Sequence, residues 1–365
     1  KFSGVWIMAY TTIDDPSAHF QTVIWTGNDS NPRTILHDGN SDMQPDWLWH
    51  KLRSGILSHM TYDSTRGVTK RLHIDQDVAE AVESASGTVT AFTSDGFTVN
   101  AGTTNDLYVN DGSRTYVSWG WKANGGTTAS NSEGSITSTV QANTTAGFSI
   151  VTYTGTGSNA TVGHSLGAVP DMVIVKSRTT TDNWGVQLAN ALGNTNALRL
   201  NNSDAYGGSN GAGWWNDTSP TSTTISIGTR NEVNQNTQNY VMYCFRSIQG
   251  YSKIGSYVGN GNVNGAFVYT GFKPAFVIVK KSSAGENWNM TDNKRSPFNV
   301  CQAGISPSTT DAEDTTNGVR IDLLSNGFKA RDTAGQYNDN GASYIYMAFA
   351  EHPFVSSEGA PTTAK

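Results

Sequence analysis

Apolar and polar residues alternate along this chain with a period of two, and they do so three times in the same order. The clearest case is a late strand read as Tyr116-Val-Ser-Trp-Gly-Trp121, Tyr240-Val-Met-Tyr-Cys-Phe245 and Tyr344-Ile-Tyr-Met-Ala-Phe349. Val117, Trp119 and Trp121 share one face, as do Val241, Tyr243 and Phe245, and Ile345, Met347 and Phe349. That face is large and apolar, so it is expected to form each unit's core. The opposite face is small at its third position (Gly120, Cys244, Ala348), which suggests the close approach of another element. A second strand is led by proline and ends in lysine: Pro45 to Lys51, Pro170 to Lys176, Pro274 to Lys280. It is apolar on both faces, as a central strand should be, and its proline suits a first position where no ladder N–H is needed.

Spacing makes these a repeat. From the proline to His59, Trp184 and Trp288 there are 14 residues each time. The late-strand tyrosine follows the proline by 71, 70 and 70 residues, and Trp25-Thr26-Gly27, Tyr153-Thr154-Gly155 and Tyr257-Val258-Gly259 precede it by 20, 17 and 17. Asp95-Gly96 and Asn326-Gly327, each between apolar runs, predict hairpins. Asp75–Ser84, with Val78 and Val82 at i and i+4, predicts one short helix. The pattern yields an all-β fold of three tandem antiparallel β-sandwich, jelly-roll-like domains. Residues 1–19, with Phe2, Val5, Trp6, Ile7 and Met8, are expected to add a strand to the first domain. The domains span 20–123, 148–249 and 250–354, with a polar extended linker at 124–147 and a frayed tail at 355–365.

Composition narrows the class. Gly, Ser, Thr and Asn make up 152 of 365 residues and charged residues only 15%, which excludes an all-helical protein. Thirty-seven aromatic residues exclude a disordered chain. The net charge of −6, with no run of Lys or Arg, argues against nucleic acid as a partner. No apolar stretch approaches ~20 residues, so no membrane insertion is expected. The chain opens Lys1-Phe2-Ser3, without Met and without a signal-like segment, which fits a processed chain or a piece of a longer one. Two cysteines, Cys244 and Cys301, do not make a disulfide framework and are expected to be free thiols.

Candidate chemistry is sparse. Gly163-His164-Ser165-Leu166-Gly167 matches a nucleophile elbow, but that motif needs a helix after the turn and here a strand follows. A glycine-rich turn is the better reading. Among His19, His37, His50, His59, His73, His164 and His352 there is no ligand-pair spacing. Asp14-Asp15 and Asp311-Ala312-Glu313-Asp314 are read as solvated loops rather than calcium or glycosidase carboxylates. No catalytic residue, metal ligand or cofactor is assigned. The loop Tyr206–Asp217 is different: Tyr206, Trp214 and Trp215 beside Asn216 and Asp217 offer aromatic faces and hydrogen-bonding groups suited to a glycan or a protein partner. Lys51, Lys176 and Lys280 recur, as do Arg66 and Arg295, which points to structural roles. Sequons at Asn28, Asn143 and Asn216 are expected by chance in so Asn- and Thr-rich a chain.

Several of these stretches are familiar together: Gly147–Gly155, Gly163–Gly167 through Pro170 to Lys176, Gly271–Pro274, Ser343–Glu351, Tyr62–Gly67 and Ser94–Phe97. They resemble an uncharacterised repeat domain of tail-fibre-like and other virion proteins of tailed bacteriophages, many from marine or cyanobacterial hosts. The resemblance covers roughly residues 20–354. It implies a non-enzymatic virion structural protein, a tail-fibre or spike component contacting the host surface, located in the virion. Its implied partners are other virion proteins, copies of itself in a homotrimer, and a host-surface glycan or protein. The alternatives are a capsid decoration protein and, less favoured, a surface-glycan depolymerase. A trimer is also expected to bury aromatic surface that ~100-residue sandwiches leave exposed.

Overall fold

The computed structural model describes residues 9–82, 85–207, 211–316 and 320–361. Phe2, Val5, Trp6, Ile7 and Met8 lie outside the described residues. The fold is all-β, with 40% strand and 4% helix. Every ladder between its named strands is antiparallel.

Three large sheets share one order. The first contains β1 (Phe20–Thr26), β2 (Trp47–Leu52), β3 (Met60–Asp63) and β4 (Thr115–Trp121), arranged β1-β4-β2-β3 and extended by two short strands. The second contains β5 (Ala129–Asn131), β6 (Ser138–Asn143), β7 (Phe148–Thr154), β8 (Met172–Ser177), β9 (Gly185–Gln187) and β10 (Asn239–Phe245), arranged β5-β6-β7-β10-β8-β9 with one short strand beyond. The third contains β11 (Ser252–Val258), β12 (Phe272–Lys281), β13 (Asn289–Asp292) and β14 (Ser343–Pro353), arranged β11-β14-β12-β13. The registers coincide: Lys51 lies opposite Val117, Lys176 opposite Val241 and Lys280 opposite Ile345. Pro45 and Pro170 stand just before their strands. Pro274 lies inside β12, where its pairing with β14 shifts register, a place where a missing N–H is tolerated.

Each large sheet faces a small one. The small sheets are built from Arg33–Ile35, Thr88–Thr93 and Gly96–Asn100, from Ala160–Gly163 and Thr224–Ile227, and from Phe267–Tyr269, Ile321–Leu324 and Gly327–Ala330. Both expected hairpins are among them. Between the sheets lie three separate apolar clusters, for example Trp25, Leu48, Phe97 and Tyr116 in the first.

A repeated polar device closes each sheet pair at one end. The hydroxyl of Tyr116 accepts the Asp111 N–H at 3.0 Å and donates to the Leu107 carbonyl at 2.9 Å. Tyr240 does the same with Gln235 and Asn231, and Tyr344 with Asp339 and Gly335. A buried asparagine six residues before each tyrosine (Asn110, Asn234, Asn338) ties the adjoining loops. Gly27, Gly155 and Gly259 are needed there, because a Cβ would run into the carbonyls of Asp111, Gln235 and Asp339.

The face expected to be each unit's own core has another partner. Trp119 and Trp121, Tyr243 and Phe245, and Met347 and Phe349 all enter one core shared by the three sheet pairs. Trp47 stacks on Tyr243 at 4.4 Å between ring centres, Phe20 on Phe349 at 5.0 Å, and Phe245 meets Phe349 edge-on at 6.0 Å. The opposite face, with Gly120, Cys244 and Ala348, lines each pair's own interior. Period two reports burial on both faces but not which partner covers them. The aromatic surface expected to draw three copies together is therefore covered within one chain.

Three further expectations change. The segment 124–147 is not a plain linker: it supplies β5 and β6 to the second sheet, with Val140 and Gln141 buried. Its Ser/Thr-rich alternation concealed a strand. Asp75–Ser84 does not form a helix over its described residues. Asp75 accepts the His59 N–H, Glu80 is held by two arginines, and Ala81–Val82 is a short strand. The tail is tied through residue 361, with the Ser357 N–H donating to Asp14 at 2.7 Å.

Candidate functional site

The loop Tyr206–Asp217 does not present its indoles. Trp214 and Trp215 are 1% and 0% exposed inside the second pair's own core. Gly185 makes the room, since a Cβ there would press on the Trp214 ring. Arg230 lies over the same ring, 4.8 Å from its centre. Neither tryptophan has a face free for a sugar, which corrects the expectation of an exposed stacking residue. Asn216 and Asp217 are exposed; the Asn216 side-chain oxygen Oδ1 accepts from the Asn159 amide at 2.6 Å. Tyr206 packs against the shared core. Aromatic side chains beside asparagines read as a sugar site in one dimension, whereas in three these rings fill a core.

Ser165 sits in a turn with φ of 55°, and its hydroxyl accepts from Asn131 at 2.8 Å. The His164 ring faces the Thr221 carbonyl and the Leu166 N–H, not Ser165. Asp15 caps a turn of 3-10 helix, Pro16–Ala18, and also accepts from Ser41. Glu313 is held between Arg53 and Arg295. Cys244 and Cys301 are buried and form no disulfide, and burial pushes the Cys244 thiol up to about 12, which leaves it inert.

What recurs in the sequence is found where the sheet pairs meet. Lys51 of the first pair donates to the Thr310 carbonyl of the third at 3.1 Å. Lys176 of the second donates to the Asp77 backbone carbonyl of the first at 3.0 Å, and Lys280 of the third to the Ser203 carbonyl of the second at 3.4 Å. Burial pulls all three ammonium groups down to about 8. The 14-residue position runs the same circle. Trp184 donates its indole N–H to the His73 carbonyl at 2.7 Å and Trp288 to Arg199 at 2.8 Å. His59 substitutes for the third tryptophan. Its Nδ1 accepts from Trp49, so the neutral ring donates from Nε2 to Ser306 at 3.0 Å. Burial holds its pKa well below the usual range. Three junctions thus close a ring with one direction of travel.

Open clefts lie at two of these junctions. One, of about 590 Å³, lies between the first and third pairs and is lined by Gln21, Thr22, Asn293 and Lys294 among others. The other, of about 690 Å³, lies between the second and third, beside Asn190, Ile254 and Tyr346. At the remaining junction Gln141 of β6 fills the equivalent place. Its amide donates to Ser64 and Thr65 and accepts the N–H groups of Asn124 and Gly126. Neither cleft is visible along the chain, because each is assembled from residues far apart in it.

A family model described as a domain of unknown function (DUF7483) matches residues 15–353. No curated protein matches the chain.

Proposed function

Since the chain belongs to the DUF7483 family, whose function is unknown, we propose a role from its residues and geometry: a non-enzymatic structural protein of a bacteriophage virion, a tail-fibre or spike component that contacts the host surface. We read the three sheet pairs as tandem β-sandwich, jelly-roll-like units over about 20–123, 148–249 and 250–354. The observation that carries the reading is the closed ring: Lys51, Lys176, Lys280, Arg66 and Arg295, the basic residues that recur, are all spent on holding structure together. A rigid body built this way suits a part that transmits or withstands load. The resemblance described above supports the same role. A homotrimer of such rings would have to use surface outside the shared aromatic core.

Peptide mass spectrometry of density-banded particles from the host that carries the gene, with antibody labelling in electron micrographs, tests this. The expected result is the chain at fixed stoichiometry in the particles, with label on tails. Label on capsids would replace the fibre with a decoration role. A chain abundant in the lysate and absent from purified particles would overturn the virion reading.

A further inference from the structure

Strand β7 is covered on its outer side by β6, whereas β1 and β11, at the same place in their sheets, are end strands among the described residues. We propose that the open edge of β1 is the seat of an extended strand from a partner polypeptide. That strand lies antiparallel, as β6 lies on β7, with a carboxamide or hydroxyl side chain entering the cleft beside Thr22. This is independent of the virion reading.

Backbone parity sets the edge. On β4, the carbonyls of Trp121 and Thr115 accept the N–H groups of Asp46 and Arg53, on the β2 side. Their partners on β1, Phe20 and Thr26, therefore turn their own groups away from the sheet, and period two turns Thr22 and Ile24 outward with them. The parity of β7 is identical, since Phe245 and Asn239 accept from Asp171 and Arg178 on the far side. There the outward residues Ile150 and Thr152 pair with Gln141 and Thr139. Thr22 and Ile24 are the counterparts of Ile150 and Thr152, and no described strand covers them.

The side chains agree. Asn293 and Lys294 follow Asp292 as Ser64 and Thr65 follow Asp63, so the β1 cleft is the place that Gln141 fills at the other junction. Thr22 is 4% exposed, yet its hydroxyl has no partner among the described residues. Ile24, at the middle of the edge, is 38% exposed. Only a strand supplies alternating N–H and C=O to such an edge. Asp15, Asp38 and Glu351 at the rim disfavour an acidic side chain, and Lys294, paired with Asp38 at the same rim, disfavours a basic one, which leaves a neutral one. The third edge is more exposed but offers fewer unpaired groups: the Ile254 N–H of β11 is already taken by the Ser247 hydroxyl, Ile248 bridges Ser252, and Lys253 guards the strand, whereas on β1 the one outward group taken among the described residues is the Thr26 carbonyl, by Arg33.

The probe is a labelled, end-capped peptide with the sequence of Ile136–Asn143, titrated against the intact chain by fluorescence anisotropy. Saturable binding is expected below about 1 mM, weakened at least tenfold by Ile24→Pro, which removes one outward N–H. Ile24→Lys, a gatekeeper on the same edge, gives the same loss if the proline variant fails to fold. A peptide carrying Gln141→Glu binds at least threefold more weakly. No saturable binding, or binding indifferent to both Ile24 variants, overturns the proposal. A concentration-dependent dimer of the free chain, abolished by Ile24→Lys, also overturns it and gives the edge to a second copy.

Discussion

The junction between the second and third sheet pairs differs in chemistry from the other two, although all three share a backbone plan. At the first–second junction Asp63 and Arg66 form a fully buried pair, Tyr243 donates to Asp63 at 2.7 Å, and Glu80 bridges Arg66 to Arg178, both at 2.9 Å. At the first–third junction Asp292 and Arg295 do the same at 2.6 Å, Trp119 donates to Asp292 at 3.0 Å, and Glu313 bridges Arg295 to Arg53. The corresponding residues of the second–third junction are Leu188, Ala191, Tyr206 and Ser282. The backbone identifies them: the N–H of Tyr206 donates to the Ser282 carbonyl at 2.8 Å, as Glu80 does to Arg178 and Glu313 to Arg53. Leu188 and Met347 stand in the shared core where Asp63 and Tyr243 stand elsewhere. Acid, base and bridge have been exchanged together. A buried pair is strongly destabilised by losing one member, while exchange of the whole set for apolar residues is often neutral or stabilising. That asymmetry explains why no junction is half converted.

The comparison breaks first at its buried charges. Asp63→Ala strands the Tyr243 hydroxyl and leaves the buried Arg66 with Glu80 as its one acid partner, and a loss of about 3–5 kcal/mol is expected by urea denaturation. Leu188→Ala removes apolar volume only and is expected to cost about 2–5 kcal/mol. Replacing the set together, Asp63→Leu with Arg66→Ala, Glu80→Tyr, Arg178→Ser and Tyr243→Met, should leave the chain more stable than Asp63→Ala alone. A combined variant weaker than the single one would show that the two chemistries are not interchangeable.

Acid offers a gentler probe. Burial raises the Glu80 carboxyl, but its bonds to Arg178 and the charge of Arg66 outweigh this and hold it below the ordinary glutamate range. A carboxyl depressed in the folded state adds stability above its unfolded pKa and loses it as pH falls through the folded one. Melting temperature should therefore fall in acid, and Glu80→Gln should flatten that fall. An unchanged acid slope in the variant would place the pH sensitivity elsewhere. The smallest change is Tyr206→Phe. Its buried hydroxyl has no partner among the described residues, so stability is expected within about 0.5 kcal/mol of the parent or slightly above it. A larger loss would mean that Tyr206 has a polar role like Glu80.

Much of the scaffold was legible in the chain. The prolines, the lysines and the late strand marked the repeat, and their registers match. The Asp63–Arg66 and Asp292–Arg295 spacings were also there to be read, as was an asparagine six residues before each late-strand tyrosine. What escaped were matters of partner. The alternation at Trp119, Tyr243 and Met347 is the same whether the face is covered by its own small sheet or by a neighbouring pair. Trp214 and Trp215 looked like a sugar platform because the space provided by Gly185 is not local to them. Val78 and Val82 had helical spacing, but Asp75 and Glu80 are committed to bonds that hold the segment extended. Both clefts needed the fold before they existed.

The ring has one more consequence, and it concerns dilution. Three separate subunits meeting through these junctions would fall apart below their dissociation constant. Here the segments between β4 and β7 and between β10 and β11 join the three sheet pairs covalently. Short tethers hold the pairs at effective concentrations on the order of millimolar. The assembled body therefore persists at any protein concentration, down to a single molecule.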